Sequence, residues 1–265
     1  MMNTFADYIL NEKELAAKME IVYYLAKKSK IFFDKSVIFK TEIARMFLKY
    51  SKIQVDENLV LTACLLCNCK KVDNAQDLES VHTYAKKGSE YLSELGFGKR
   101  FCKICEEVNR YSKSNPRERE SDILELVDQF GGMLLDRPER IGFKTDEALV
   151  LLEHRNLKDE YNRYLETFMD FVQFMDKIEM NELVSMPALP RLVKIHNDSS
   201  NVISFIKELI YHYEPKVNIL MDKKFDVIAL ETFEDYENPN RPLFSPKTAK
   251  KVLKHVSEEM SEVKE

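Results

Sequence analysis

A chain of 265 residues with 45% hydrophobic and 32% charged residues is long enough for one large core or for a main domain with a small appendage. Six glycines are few for an all-β or Rossmann-type chain, and a net charge of −5 provides no overall basic field to draw in nucleic acid. The apolar run from Leu59 to Cys69 stops well short of the roughly 18 residues needed to cross a bilayer. The opening MMNTFADYILNEKE has acidic residues where a signal peptide needs a basic region and then an apolar one, so a cytoplasmic protein with no membrane or nucleic-acid partner is expected. In chain order, the apolar spacing predicts helices over 4–30, 35–50 and 57–71, the third capped by Asp56 and apolar on nearly every face, as a buried helix is. Further helices are expected over 76–95, closed by Gly96, and over 99–113, 120–136, 144–155 and 157–180. Pro187 and Pro190 in MPALP are expected to stop any helix and to divide a helical domain at 1–180 from a small α or α+β module at 187–265. That module would hold a helix near 199–212, a strand at 226–230 and a last helix opening at Ser245-Pro246.

All five cysteines lie between Cys64 and Cys105. C-x-x-C-x-C followed by C-x-x-C has zinc-ligand spacing. On a continuous helix, however, Cys64 and Cys67 share a face while Cys69 points away, so a four-thiolate zinc site would use Cys64, Cys67, Cys102 and Cys105. The competing expectation, and the favoured one, is buried thiols packing as small hydrophobes with no cofactor bound. The five histidines show no i, i+4 pair of the helical metal-site kind, and there is neither G-x-G-x-x-G nor a P-loop. Arg137 and Arg140 could grip phosphate through bidentate guanidinium contacts, although Asp136 and Glu139 interleaved with them make surface ion pairing the favoured role. Phe168, Phe171, Val172 and Met175 form an apolar stripe suited to a core face or to a dimer or helix-in-groove surface.

Residues 35–175 resemble the HD-GYP domain, a helical relative of the HD phosphohydrolases. Where that family has approximately ALLHDIGK, this chain has Ala63-Cys64-Leu65-Leu66-Cys67-Asn68-Cys69-Lys70-Lys71; HTYAKKGSEYL matches a second family signal through Gly88 and Leu92; LVDQFGGMLLDRPERIGFKTDEAL matches a third through Asp128, Arg137, Pro138 and Arg140. The resemblance implies an all-α HD-like bundle of bacterial signalling type that once hydrolysed cyclic dinucleotides at a metal centre. It also implies that the metal-binding histidine and aspartate are replaced by Cys67 and Asn68, a further histidine by Tyr84, and the ligands before the missing GYP loop by Val108-Asn109-Arg110. Asp128 alone keeps its ligand type, and Lys71 matches the motif lysine that can touch a phosphate. Asparagine keeps the shape of aspartate without the charge that neutralises a divalent cation or lowers the pKa of a bridging water. The expectation is a non-catalytic regulatory protein recognising a protein or nucleotide, with a homodimer as a further arrangement. The alternatives are a metal-dependent phosphohydrolase with substituted ligands and a zinc-stabilised structural protein. MPALPRLVKI also resembles, over about 30 residues, the opening of the HDOD output module.

Overall fold

The structure, a computed structural model, describes residues 4–13, 15–29, 31–71, 82–110, 116–136, 140–158, 161–177, 179–181 and 184–212. The strand expected at 226–230 and the helix expected from Ser245 lie outside them. The described residues are almost wholly helical, as composition predicted: α1 (Phe5–Asn11), α2 (Leu15–Ser29), α3 (Lys35–Ser51), α4 (Glu57–Leu66), α5 (Tyr84–Glu94), α6 (Lys99–Glu106), α7 (Arg119–Leu134), α8 (Thr145–Lys158), α9 (Leu165–Met175), α10 (Ala188–Asp198) and α11 (Val202–His212). An antiparallel hairpin of β1 (Glu179–Asn181) and β2 (Val184–Pro187) precedes α10. No helix among the described residues is long and apolar enough to cross a membrane.

The single helix expected over 4–30 is two. Glu12 turns extended, and the carbonyls left open at the end of α1 are taken by side chains from elsewhere: Lys18 Nζ donates to Ile9 O at 2.6 Å and Asn58 Nδ2 to Leu10 O at 2.7 Å. Lys18 also donates to Thr62 Oγ1 at 2.7 Å, and its burial brings its pKa down to about 8 against the opposing pull of Glu12 and Asp56. Helix α3 is the axis of the molecule. Asp34 caps it through the Ser36 and Val37 amides, and every residue from Val37 to Leu48 is buried. Helices α4, α7, α9 and α10 all pack on it.

Helix α4 opens as expected on Asp56, whose carboxylate accepts from Leu59 N at 3.0 Å, but it ends at Leu66 and not at Lys71. Beyond it the chain tightens into three-residue turns, Cys69 N to Leu66 O and Lys71 N to Asn68 O, and Cys69 O is claimed by Phe32 N at 2.8 Å. That early stop sets the direction of every candidate residue from Cys67 to Lys71. Helix α5 is followed, as predicted, by Gly96 in a left-handed turn with φ of 94°; a Cβ there would also stand 2.8 Å from Thr4 Cβ. Helix α6 ends at Glu106, earlier than the expected 113, and helix α9 occupies only the middle of the expected 157–180.

The stripe of Phe168, Phe171, Val172 and Met175 is buried against α3, with Phe47 ring centroids 5.1 Å from Phe168 and 5.4 Å from Phe171. Its docking-surface reading is therefore corrected to core. The prolines of MPALP do not stop a helix either. Pro187 caps α10 and Pro190 falls in its first turn, where an amide would have no intrahelical acceptor in any case. Helix α10 is fastened to α3 by Lys35 Nζ, which donates to the carbonyls of His196 and Ser199, and by the His196 ring, which lies edge-on to Phe39 of α3 at 5.4 Å and to Phe205 of α11 at 5.3 Å. Burial, with Lys35 nearby, lowers the His196 pKa to about 4 and keeps the ring neutral.

Candidate functional site

Helices α3 and α7 and the turn after α4 converge on one carboxylate. Asp128 Oδ1 accepts from Lys40 Nζ of α3 at 2.7 Å and from Asn68 Nδ2 at 2.7 Å, while Oδ2 lies 3.8 Å from Lys71 Nζ. Lys71 in turn sits over the Tyr84 ring, 5.4 Å from its centroid. Four of the six positions singled out by the family resemblance, Asn68, Lys71, Tyr84 and Asp128, thus meet in one place. Burial alone would raise the Asp128 pKa, but Lys40, Lys71 and the donated hydrogen bonds outweigh it and hold the carboxyl well below the usual carboxylate range.

Lys40 is the residue that sequence motifs missed. It lies 88 positions from Asp128, and no local spacing joins the two. Two weaker signals do exist. Lys40 follows the run SVIF in a stretch of helix, 37–48, that is buried throughout, and a buried lysine requires an acceptor, of which a carboxylate also balances its charge. Gly131, one turn beyond Asp128, leaves the room its stem needs, because a Cβ at Gly131 would stand 2.8 Å from Lys40 Cγ.

The remaining predicted residues take other roles. Cys67 is buried with its thiol 3.9 Å from Cys64 O; burial first, then the nearby Asp128, pushes its pKa far up. Asn109 is placed elsewhere, its carbonyl 3.4 Å from Arg117 Nη1. Arg140 donates to Gly132 O at 2.6 Å and Met133 O at 3.1 Å and lies over the Phe143 ring, so it ties the chain after α7 back onto the helix end. Arg137 lies outside the described residues. All five cysteines are buried, and burial raises the pKa of Cys64, Cys102 and Cys105, which favours thiols over thiolates. Cys69, off the helix after all, packs against Gly88, where a Cβ would sit 3.4 Å from its Sγ. Among the described residues no group of three or more His, Cys, Asp or Glu side chains is placed to hold a metal ion.

A second ionic cluster lies further back along α7. Glu125 accepts from Arg110 Nε at 2.7 Å and Asn162 Nδ2 at 2.9 Å, Asp122 accepts from Arg117 Nε at 2.9 Å and from Arg163 Nε, and Glu107 accepts from Ser121 Oγ at 2.7 Å. Two open clefts lie elsewhere on the surface of the described residues. One of about 570 Å³ is bordered by Asp136, Phe143, Val193 and Lys194, and one of about 280 Å³ lies between α8 and α9; neither includes a residue of the Asp128 cluster. No family model, curated protein or solved structure compared with the chain matches it. The resemblance to HD-GYP domains is therefore carried by the motif residues of the sequence alone.

Proposed function

We propose that this chain is a non-catalytic regulatory protein of the cytoplasm, with an HD-GYP-like helical core, that acts by recognising a protein partner. One observation carries this reading: the ammonium of Lys40 lies 2.7 Å from the carboxylate that the family resemblance assigns to metal. Hydrolysis at a two-metal centre needs several anionic or imidazole ligands to neutralise the ions and acidify a water. Among the described residues one carboxylate there faces two ammonium groups and an amide, so a divalent cation bound to it would meet like charge at contact distance. A nucleotide ligand is less well supported than a protein. Of the candidate phosphate contacts, Lys71 is paired with Asp128 and Tyr84, and Arg140 is spent on backbone carbonyls.

Elemental analysis of the purified chain, followed by a phosphodiesterase assay on cyclic dinucleotides with added manganese or ferrous iron, tests the reading. No turnover is expected. Stoichiometric iron or manganese with turnover would overturn it, and stoichiometric zinc lost on substituting Cys67 and Cys105 would favour the zinc-stabilised alternative. A thermal shift with millimolar cyclic dinucleotide would move the ligand from protein to nucleotide.

A further inference from the structure

The groove between α8 and α9 combines an apolar lining with acidic side chains. Thr145 Oγ1, at the start of α8, donates to Asp176 Oδ1, just past the end of α9, at 3.1 Å, so the two helices run antiparallel. Their facing stripes leave an open groove of about 280 Å³. Leu149, Val150 and Met169 supply its apolar lining, and Val150 is 44% exposed. Asp146, Glu153 and Asp176 stand along it against one cation, Lys177. Neither Asp146 nor Glu153 has an ion-pair partner among the described residues, unlike the largely buried Asp122, Glu125 and Asp128. An apolar strip with uncompensated negative charge complements a helix with apolar residues on one face and lysine or arginine beside them. Residues 145 to 153 span about 12 Å of helix, enough for two turns of a partner.

We infer that the α8–α9 groove docks a basic amphipathic helix of a partner protein. This rests on the proposed role in protein recognition and specifies its surface. Two apolar side chains of the incoming helix, spaced i, i+3 or i, i+4, lie over Leu149, Val150 and Met169, and its basic residues face Asp146 and Glu153.

The test uses the full chain and a fluorescein-labelled 18-residue peptide of leucines and lysines with leucines at i, i+3, i+4 and i+7, beside a scrambled peptide of the same composition. Anisotropy titration should show the amphipathic peptide binding about tenfold more tightly than the scrambled one, a difference of about 1.4 kcal/mol. Glu153→Lys should weaken it about tenfold, and Val150→Ser severalfold. Glu90→Lys, at an exposed position on α5, makes the same charge change elsewhere and should leave affinity within about twofold. Equal binding of the two peptides, no binding at millimolar concentration, or equal losses for Glu153→Lys and Glu90→Lys would overturn the inference. Such a failure would leave the non-catalytic reading standing, while metal-dependent turnover would remove that reading without touching the titration.

Discussion

Helix α7 carries two ionic clusters built on opposite plans. Near its middle, Asp128 is served by lysines and an amide from other segments, and its pKa falls; about one turn earlier, Glu125 sits among arginines and an asparagine, and its pKa rises because burial outweighs them. Lysine is a compact point charge on a flexible stem, while a guanidinium presents five donors in a planar fork. Arg117 accordingly touches Asp122, Glu125 and two backbone carbonyls, and its loss would leave each carboxylate another donor. Asp128, by contrast, is the one anion among the described residues that Lys40, Lys71 and Asn68 share. The arginine cluster distributes its charge and the lysine cluster concentrates it.

Removing the shared anion should therefore cost most. Asp128→Ala leaves Lys40, whose side chain is 8% exposed, without its counter-charge and should destabilise by about 3–5 kcal/mol in urea unfolding. Replacing both partners, as in Lys40→Met with Asp128→Leu, should recover most of that loss. Arg117→Met should cost less, about 2 kcal/mol, because Arg110, Asn162 and Arg163 still serve its carboxylates. A loss equal to that of Asp128→Ala would erase the distinction between the clusters.

Gly131→Ala should cost about 1 kcal/mol through the clash with the Lys40 stem, and in a Lys40→Ala background it should instead stabilise by up to about 1 kcal/mol from helix propensity. An exposed pair sets the floor: a double-mutant cycle on Lys194 and Asp198, 2.5 Å apart with side chains 49% and 63% exposed, should return about 0.3–0.5 kcal/mol. The pH response has opposite signs in the two clusters. The lowered pKa of Asp128 gives stability that is complete above its unfolded pKa near 4 and is lost as the pH falls through the folded value. The raised pKa of Glu125 gives stability present below its unfolded value near 4.5 and lost as the pH rises through the folded one. Unfolding curves of Asp128→Asn and Glu125→Gln against wild type, from pH 3 to 8, should therefore diverge in opposite directions.

Sequence reading went furthest where the cause was local. The Asp56 cap, the Gly96 turn, the burial of the cysteines and the helical content all follow from neighbours within a few residues. It stopped where the cause was distant. The break between α1 and α2 depends on Lys18 and Asn58 reaching the open carbonyls, and the end of α4 coincides with Phe32 taking Cys69 O. Helix α10 was hidden because a proline pair that reads as a stop can equally open a helix. At the candidate site, the motif resemblance singled out Asn68, Lys71, Tyr84 and Asp128, along with Cys67 and Asn109, but carried no motif for Lys40, which lies 2.7 Å from the carboxylate.

The Lys40 ammonium is tethered to the same chain as the carboxylate it neutralises. A free cation has to be captured from solution, equilibrates with its supply, and can be stripped by a chelator or exchanged for a competitor. Lys40 arrives in fixed stoichiometry with every copy synthesised, and no scavenger can remove it. At the junction of three segments, the counter-charge of Asp128 is therefore written into the chain itself.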